Sequence, residues 1–419
     1  MNQHKNYAIL INNKSQTKGL VHDLLSNSVI DEFKELHNKK GLLFSRSEIE
    51  RFMDEEERHD TKILTQGISQ SLKSMSSGEQ KKALLSHLLE QKPDFLVLVN
   101  PFDNLDIATQ TNLKEQLLSI CKTTSLVQLV SRSNDILLIT TDFFKLDGNK
   151  LFSYASPETF WEQHEQASIK FIETIPSPIK PSEVEDTQLI NFADVSVSFD
   201  GRQVLNSINW TINKGEFWQL IGPNGSGKTT LLSMITGDSH KGYGQDLTLF
   251  GQKKGSGESV WDLKKEIGYF TPAMTDKFRG YHTTENMVIS GFYDSVGLYT
   301  NPSDQEKRLA NQWLKLLQLY DKRKIPFLEL TTGEKRLVMT ARAMVKHPPL
   351  LILDEPTAGL DDASAALFIA LVNKISQESE TAIIFVSHRT EVGLEPQFDY
   401  ILAMNKNGST GKVTNHANS

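Results

Sequence analysis

The chain has 419 residues, 23% charged and 38% hydrophobic, enough for about two or three globular domains. Its net charge of −7 and pI near 5.9 weigh against broad binding to phosphate backbones, so nucleic acid is not an expected partner. A single cysteine, Cys121, excludes an intrachain disulfide and a cysteine metal cluster, and no apolar run reaches the ~20 residues of a membrane helix.

These limits fit a cytoplasmic protein whose contact with the inner face of a membrane, if it has one, runs through another protein. In chain order, Met1 to Asn6 is polar and lacks the apolar core of a signal peptide. Tyr7 to Leu25, YAILINNKSQTKGLVHDLL, opens the first half. Leu72 to Asp106 follows, LKSMSSGEQKKALLSHLLEQKPDFLVLVNPFDNLD: a small polar cluster, Gly-Glu, an amphipathic helix, a Lys-x-Pro turn, an apolar strand and a Leu-Asp pair. Cys121 lies in an apolar helical stretch and reads as core filler. Ile172 to Gln188 carries Pro176, Pro178 and Pro181 with Glu183, Glu185 and Asp186, the composition of a solvated linker. Leu189 to Phe199 alternates as a strand, and Val204 to Ile212 as its hairpin partner across Asp200-Gly201. Asp304 to Tyr320 has helical spacing at Leu309, Trp313, Leu316, Leu317 and Tyr320. Leu328 to Asp362, LELTTGEKRLVMTARAMVKHPPLLILDEPTAGLDD, then repeats the Leu72 to Asp106 stretch in the same register, which is an internal duplication. The alternation of strands and helices predicts an α/β fold with a mostly parallel sheet covered by helices.

The pattern G-x-x-x-x-G-K-S/T is complete at Gly222, Gly227, Lys228 and Thr229 within GPNGSGKTT. It follows the apolar run Phe217, Trp218, Leu220, Ile221 and precedes a helical one, Leu231, Leu232, Met234, Ile235, which is the strand–loop–helix context of a phosphate loop. Backbone N–H groups of Gly222, Pro223, Asn224, Gly225, Ser226, Gly227, Lys228, Thr229 and Thr230 (proline excepted) can wrap a phosphate. Lys228 neutralises charge, the Thr229 hydroxyl suits Mg²⁺, and the helix N-terminus adds partial positive charge. ATP and Mg²⁺ are the expected ligands.

Further motifs agree in order and spacing. Leu350 to Glu355 (LLILDE) resembles a Walker B strand, Leu330 to Glu334 (LTTGE) the signature motif of ATP-binding-cassette (ABC) proteins, Gly359-Leu360-Asp361 their D-loop, and Ser387-His388 their switch histidine. The second half is thereby identified as a member of the ABC ATPase family, a P-loop NTPase. Asp246 to Tyr269 and Ile289 to Tyr299 are similar to the soluble tandem-cassette branch associated with molybdate transport and photorepair. The resemblance implies a metal-holding role for Asp354, a general base in Glu355, a γ-phosphate sensor in His388 and an adenine stack on Phe199. Such a set supplies the positioning and charge compensation that phosphoryl transfer needs.

The first half departs from that pattern. Aligning Tyr7 to Leu25 with Trp218 to Thr236 places Ile11, Lys14 and Gln16 at the three glycines and Thr17 at the lysine; a slip of one residue would align Lys18 with Lys228, with the glycines still missing. Side chains at glycine positions keep the backbone away from phosphate. Val99 and Asn100 replace Asp354 and Glu355, Arg132 replaces His388, Arg46 to Lys73 is short for a helical subdomain, and the strand bearing the adenine stack is missing. The signature persists as Ser76, Ser77, Gly78 and Glu79, although Ser76-x-x-Glu79 is equally a capping box, as is Thr331-x-x-Glu334. The expected organisation is a degenerate, truncated cassette over 1–160, a linker over 161–188 and an intact cassette over 189–419.

In the family each site joins one cassette's phosphate loop to the other's signature. Here that implies one competent composite site, pairing the second-half loop with the Ser76–Glu79 signature, and a soluble ATPase that drives an unidentified client. Three alternatives stand beside it: a subunit energising a membrane permease, such as one for molybdate; an ATP-gated ribosome- or nucleic-acid-associated factor; and a pairing of second halves from two chains. Pro272, at the position of the family's coupling glutamine, argues against the first, and the short proline-rich linker against the second.

Overall fold

A computed structural model of the chain describes residues 5–26, 28–67, 70–164, 171–180, 184–278, 280–389 and 391–416. Met1 to His4, and Pro181 and Glu183 of the expected linker, lie outside them. The chain divides into two compact units: Met1–Ala167 with Gly359–Ala363, and Ser168–Ala358 with Ser364–Ser419.

The first unit contains β1 (Tyr7–Ile11), α1 (Thr17–Leu25), β2 (Gly41–Phe44), α2 (Arg46–His59), α3 (Ser77–Glu90), β3 (Phe95–Val99), α4 (Ile107–Ile120), β4 (Ser125–Val130), β5 (Asp142–Asp147), β6 (Lys150–Ser153) and α5 (Pro157–Gln163). Its six-stranded sheet runs β2-β3-β4-β1-β5-β6, parallel except for the β5–β6 hairpin. The central strands β1 and β3 are continuous apolar runs, and β4 is buried along its whole length with Ser125 and Gln128 among its apolar residues, as expected where helices cover both faces. Ser76 and Asp106 start α3 and α4, each side-chain oxygen accepting an N–H three residues on. Buried Lys81 on α3 donates to the carbonyls of Pro101 at 2.8 Å and Asp103 at 2.6 Å, tying α3 to the turn before α4. Cys121 is the C-cap of α4, half-buried against the core, with its thiol donating to the Leu118 carbonyl.

The second unit opens with β7 (Gln188–Phe199) and β8 (Arg202–Asn213), a longer hairpin than the alternation alone marks out. Then come β9 (Phe217–Ile221), α6 (Lys228–Ile235), β10 (Leu247–Leu249), β11 (Gln252–Lys253), α7 (Val260–Glu266), β12 (Ile267–Phe270), α8 (Ala273–Lys277), α9 (Thr284–Ile289), α10 (Asp304–Leu316), α11 (Thr332–Met344), β13 (Leu350–Asp354), α12 (Asp362–Glu378), β14 (Ala382–Val386), β15 (Phe398–Ala403) and β16 (Thr410–Asn415). Its main sheet runs β12-β13-β14-β9-β15-β16, again parallel except for the last pair. Strand for strand this is the path of the first unit, so the duplication seen in Leu72–Asp106 extends to the whole sheet. An antiparallel sheet, β11-β10-β7-β8, is added in this unit, and Trp210 stacks on Tyr400 with centroids 4.4 Å apart in the shared core. Helix α10 stops at Leu316 rather than Tyr320, because Gln318 adopts a left-handed φ of 58°. Among the described residues, between the edge strand and the signature helix the second unit holds α8, α9 and α10 with three short helical turns, where the first holds α2 and one such turn. Arg336, at the position equivalent to Lys81, donates to the Ala358 carbonyl at 3.3 Å, so the tie from signature helix to following turn exists in both units.

His347 ends the turn after α11 at φ 50°, and burial pushes its imidazole down to about 4 from 6.5. The unfolded chain therefore takes up this proton first on acidification. Stability is intact above pH 6.5 and drains between 6.5 and about 4, on the order of 3 kcal/mol if fully realised. His347→Asn, which tolerates the left-handed backbone, is expected to flatten that part of the stability–pH curve. Urea titrations at pH 7 and pH 5 measure it, and parallel losses in both proteins would refute it.

Candidate functional site

The loop from Gly222 to Thr230 joins β9 to α6. Gly227 sits at φ +96°, and a Cβ there would lie 2.5 Å from Leu205 Cδ2; a Cβ on Gly222 would lie 2.6 Å from Ser226 Oγ. These glycines are needed for shape as well as for access. No side chain caps α6, and Ser226 Oγ is buried without a hydrogen-bond partner. Lys228 arches over the loop, Nζ donating to the carbonyls of Gly222 at 2.6 Å and Pro223 at 3.1 Å. Thr229 and Thr230 begin the helix. An uncapped helix start, a glycine cradle, a lysine and an orphaned hydroxyl suit a phosphate-bearing ligand.

Strands β13 and β14 are paired so that Asp354 lies opposite Val386, and both chains then turn toward the same end of the sheet. Glu355 takes a left-handed φ of 53° and donates its N–H to the Val386 carbonyl at 2.9 Å. His388 Nε2 meets Glu355 Oε1, and His388 Nδ1 is buried without a partner. Burial by itself would raise the Glu355 carboxyl; the His388 hydrogen bond and charge, with Lys228, outweigh it and hold the group below its ordinary value. Asp354 goes the other way, raised by burial and by the neighbouring Glu355 charge. The two carboxyls are thus differentiated by their surroundings. The Tyr269 hydroxyl on β12 donates to Asp354 Oδ2 at 3.3 Å, a partner that nothing in the residue spacing marks.

Phe199 ends β7 with 39% of its surface exposed, and Lys241 Nζ lies 5.0 Å from its ring centroid. It is not the buried hairpin aromatic that its position also allows. Pro272 stands at the N-cap of α8 and offers no amide. The Ser76–Glu79 segment forms a full capping box: Glu79 Oε2 accepts from Ser76 N at 2.8 Å and from Ser76 Oγ at 2.7 Å, which holds the Glu79 carboxyl below its ordinary value. Ser77 and Gly78 occupy the first turn, and a Cβ on Gly78 would lie 2.9 Å from Thr109 Cγ2, so packing against α4 also calls for glycine there. Thr331 and Glu334 form the matching box on α11.

The loop between β1 and α1 in the first unit is built differently. Gln16, aligned with Gly227, has an ordinary φ of −88°. The N–H groups of this loop are taken up by protein acceptors: Asn12 donates to Ser15 Oγ at 2.9 Å, Asn13 to Asp361 Oδ2 at 2.9 Å, Lys14 to Asn12 Oδ1 at 2.8 Å, Gln16 to the Gly148 carbonyl at 2.8 Å and Ser15 to the Asn12 carbonyl at 3.0 Å, this last bond being matched by Ser226 to Pro223 at 3.2 Å in the second unit. Asn100 keeps the backbone shape of Glu355, with φ 44° and its N–H on the Leu129 carbonyl at 2.9 Å. Its side-chain oxygen is occupied by the Ser131 N–H at 2.9 Å.

A parallel sheet that ends in a glycine loop and a helix, with Asp-Glu on the adjacent strand, defines a P-loop nucleotide-binding fold. The family model described as ABC transporter matches residues 205–358. The Escherichia coli ABC transporter ATP-binding protein ModF is 39% identical over 341 residues, covering 78% of this chain and 69% of that protein. The Schizosaccharomyces pombe uncharacterized ABC transporter ATP-binding protein C323.04 is 30% identical over 330 residues, 76% of this chain and 66% of that one. The chain thus spans about two thirds of the length of these relatives. Two solved structures share the fold across 98% of the chain: archaeal ABCE1 in a ribosome-bound model with Pelota (TM-score 0.67, 13% identity, 75% of that chain) and RNase-L Inhibitor (TM-score 0.63, 15% identity, 86%). The chain belongs to the ABC ATPase family, with two cassette sheets in tandem. It is an ABC-type ATPase, and among the described residues no helix is long and apolar enough to cross a membrane.

Proposed function

We propose that this ATPase works through one site, carried by the second unit, and that the first unit lends its signature segment without binding nucleotide itself. The contrast between the two loops carries the reading. One is a glycine cradle with an orphaned hydroxyl and an uncapped helix start; the other has side chains at its glycine positions and N–H groups already taken by protein acceptors.

Residues Gly222–Thr230 would hold the phosphates, with Lys228 neutralising charge and Phe199 flanking the base. Thr229 and Asp354 are the hydroxyl and carboxylate suited to Mg²⁺, which would supply charge neutralisation on the phosphate oxygens. Glu355, ionised and held by His388, is placed to orient and deprotonate the attacking water; His388, with a second nitrogen available, is placed to report the γ-phosphate. Binding and loss of that phosphate would close and reopen the cassette pair, which is the output delivered to a client. A permease remains the client class that names such as ModF suggest, and Pro272 disfavours it, because proline cannot supply the amide contact of a coupling glutamine.

Ser76→Arg and Thr331→Arg test the pairing. Each removes the same type of capping box, worth about 1 kcal/mol, so the stability change cancels in the comparison. Ser76→Arg is expected to lower ATP turnover at least about tenfold while Thr331→Arg stays within about twofold, since filling the space a γ-phosphate must occupy with a bulky side chain matters only at a working site. The opposite ranking would mean that second units pair between chains.

A further inference from the structure

Glu391 is a buried carboxylate, 8% exposed, that none of the roles above uses. It lies three residues beyond His388. Its Oε1 accepts from the Thr357 hydroxyl and lies 3.3 Å from the Ser387 hydroxyl, whose proton is shared with the Arg389 carbonyl at 3.0 Å. Thr357 is two residues past Glu355, on the chain leaving β13. Ser387 is the residue before His388, on the chain leaving β14. A single oxygen therefore clamps the two segments that carry the Glu355–His388 pair. Ser387 Oγ also accepts the Arg389 N–H at 3.0 Å, which closes the turn around the histidine.

The backbone already makes one link between these segments, from Glu355 N–H to the Val386 carbonyl. That link fixes the spacing of the strand ends. It does not fix the path of the chain beyond them, where both functional side chains leave the sheet. Placing a carboxylate in such a spot is costly unless hydrogen bonds compensate it. Bonds to an ionised acceptor are stronger than neutral ones, so the same charge that is costly to bury makes a stiff clamp.

We propose that Glu391 is a positioning residue for hydrolysis: through Thr357 and Ser387 it sets the separation of Glu355 and His388. It does not touch nucleotide, and its effect falls on the chemical step rather than on binding. This rests on the roles proposed for Glu355 and His388.

The experiment compares Glu391→Ala, Glu391→Gln, Thr357→Val and Glu355→Gln in the full chain, reading kcat, KM for ATP, affinity for a fluorescent ATP analogue and Tm. Glu391→Ala is expected to lower kcat about 10- to 100-fold, the scale of a misplaced reacting group, with KM and analogue affinity within about twofold. Glu391→Gln keeps an acceptor oxygen and is expected to recover most of that loss. Thr357→Val cuts one arm and should lower kcat several-fold, and combining it with Glu391→Ala should add little, since both break one bridge. Normal kcat in Glu391→Ala, or a fall in kcat matched by KM and Tm with no recovery in Glu391→Gln, overturns the proposal. If Glu391→Ala does not fold, Thr357→Val decides: reduced kcat at unchanged KM supports it and wild-type kcat overturns it. Glu355→Gln separates the two levels. Persisting turnover there removes the underlying roles, whereas a dead Glu355→Gln beside a normal Glu391→Ala removes this inference alone.

Discussion

Glu355→Gln is expected to lower steady-state ATP turnover by about 10²-fold or more while nucleotide stays bound. The side chain is held ionised by His388 and Lys228 against the pull of burial, which is the state a proton acceptor needs. Glutamine matches its volume and leaves the N–H bond to Val386 in place, so the strand end keeps its shape. What disappears is the capacity to take a proton, and general-base assistance is worth about 10²- to 10⁴-fold. The glycine loop and Lys228 are untouched, so affinity for ATP should hold or rise. Phosphate release and retention of labelled ATP on the purified protein measure the two halves of the expectation. Turnover within a few-fold of wild type would remove Glu355 from the mechanism. Because an ATP-retaining variant lingers in one state of the cycle, it is also the form with which to recover a client.

The second large effect is expected at the loop itself. Gly227→Val places a branched side chain at φ +96°, with its Cβ 2.5 Å from Leu205 Cδ2 and 3.2 Å from Val204 Cγ1. Backbone strain alone costs about 1–3 kcal/mol, and the contact with β8 adds to it. Relief requires the loop to move, and the loop is the cradle. ATP affinity should fall by at least about 10²-fold, with a lower Tm as well. The control is Gln16→Gly in the first unit. There the backbone is ordinary at φ −88°, so the change is expected to leave ATP binding within about twofold. Equilibrium binding of a fluorescent ATP analogue compares them; normal affinity in Gly227→Val, or a matching loss in Gln16→Gly, contradicts the division between the loops.

Much of the architecture is legible in one dimension. Glycine and lysine spacing locates the β9–α6 loop, because few other sequences can adopt that backbone. Alternation over Leu189–Phe199 marks a half-covered antiparallel strand, and solid apolar runs such as Phe95–Val99 mark strands covered on both faces. The signature boxes at Ser76 and Thr331 are visible too, since capping is a local interaction over three residues. What stays hidden depends on distant segments meeting. Tyr269 reaches Asp354 only because β12 and β13 are neighbours, and Glu391 meets Thr357 only because two strand ends lie side by side. The occupied N–H groups of the first loop are hidden for another reason. Asn12 and Ser15 are common turn residues, and only the folded chain shows that they consume the N–H groups a phosphate would use. Lys81 and Arg336 occupy matching places in the repeat, yet their shared reach to a carbonyl emerges only in three dimensions.

That pair of long cations has a mechanical corollary. Each is sheltered, and each grips a carbonyl of the turn that precedes the next helix. A nudge at the start of either helix is carried to the adjoining turn by stiffness. If, as proposed, the amino-terminal copy takes no nucleotide, it still keeps the parts of a lever.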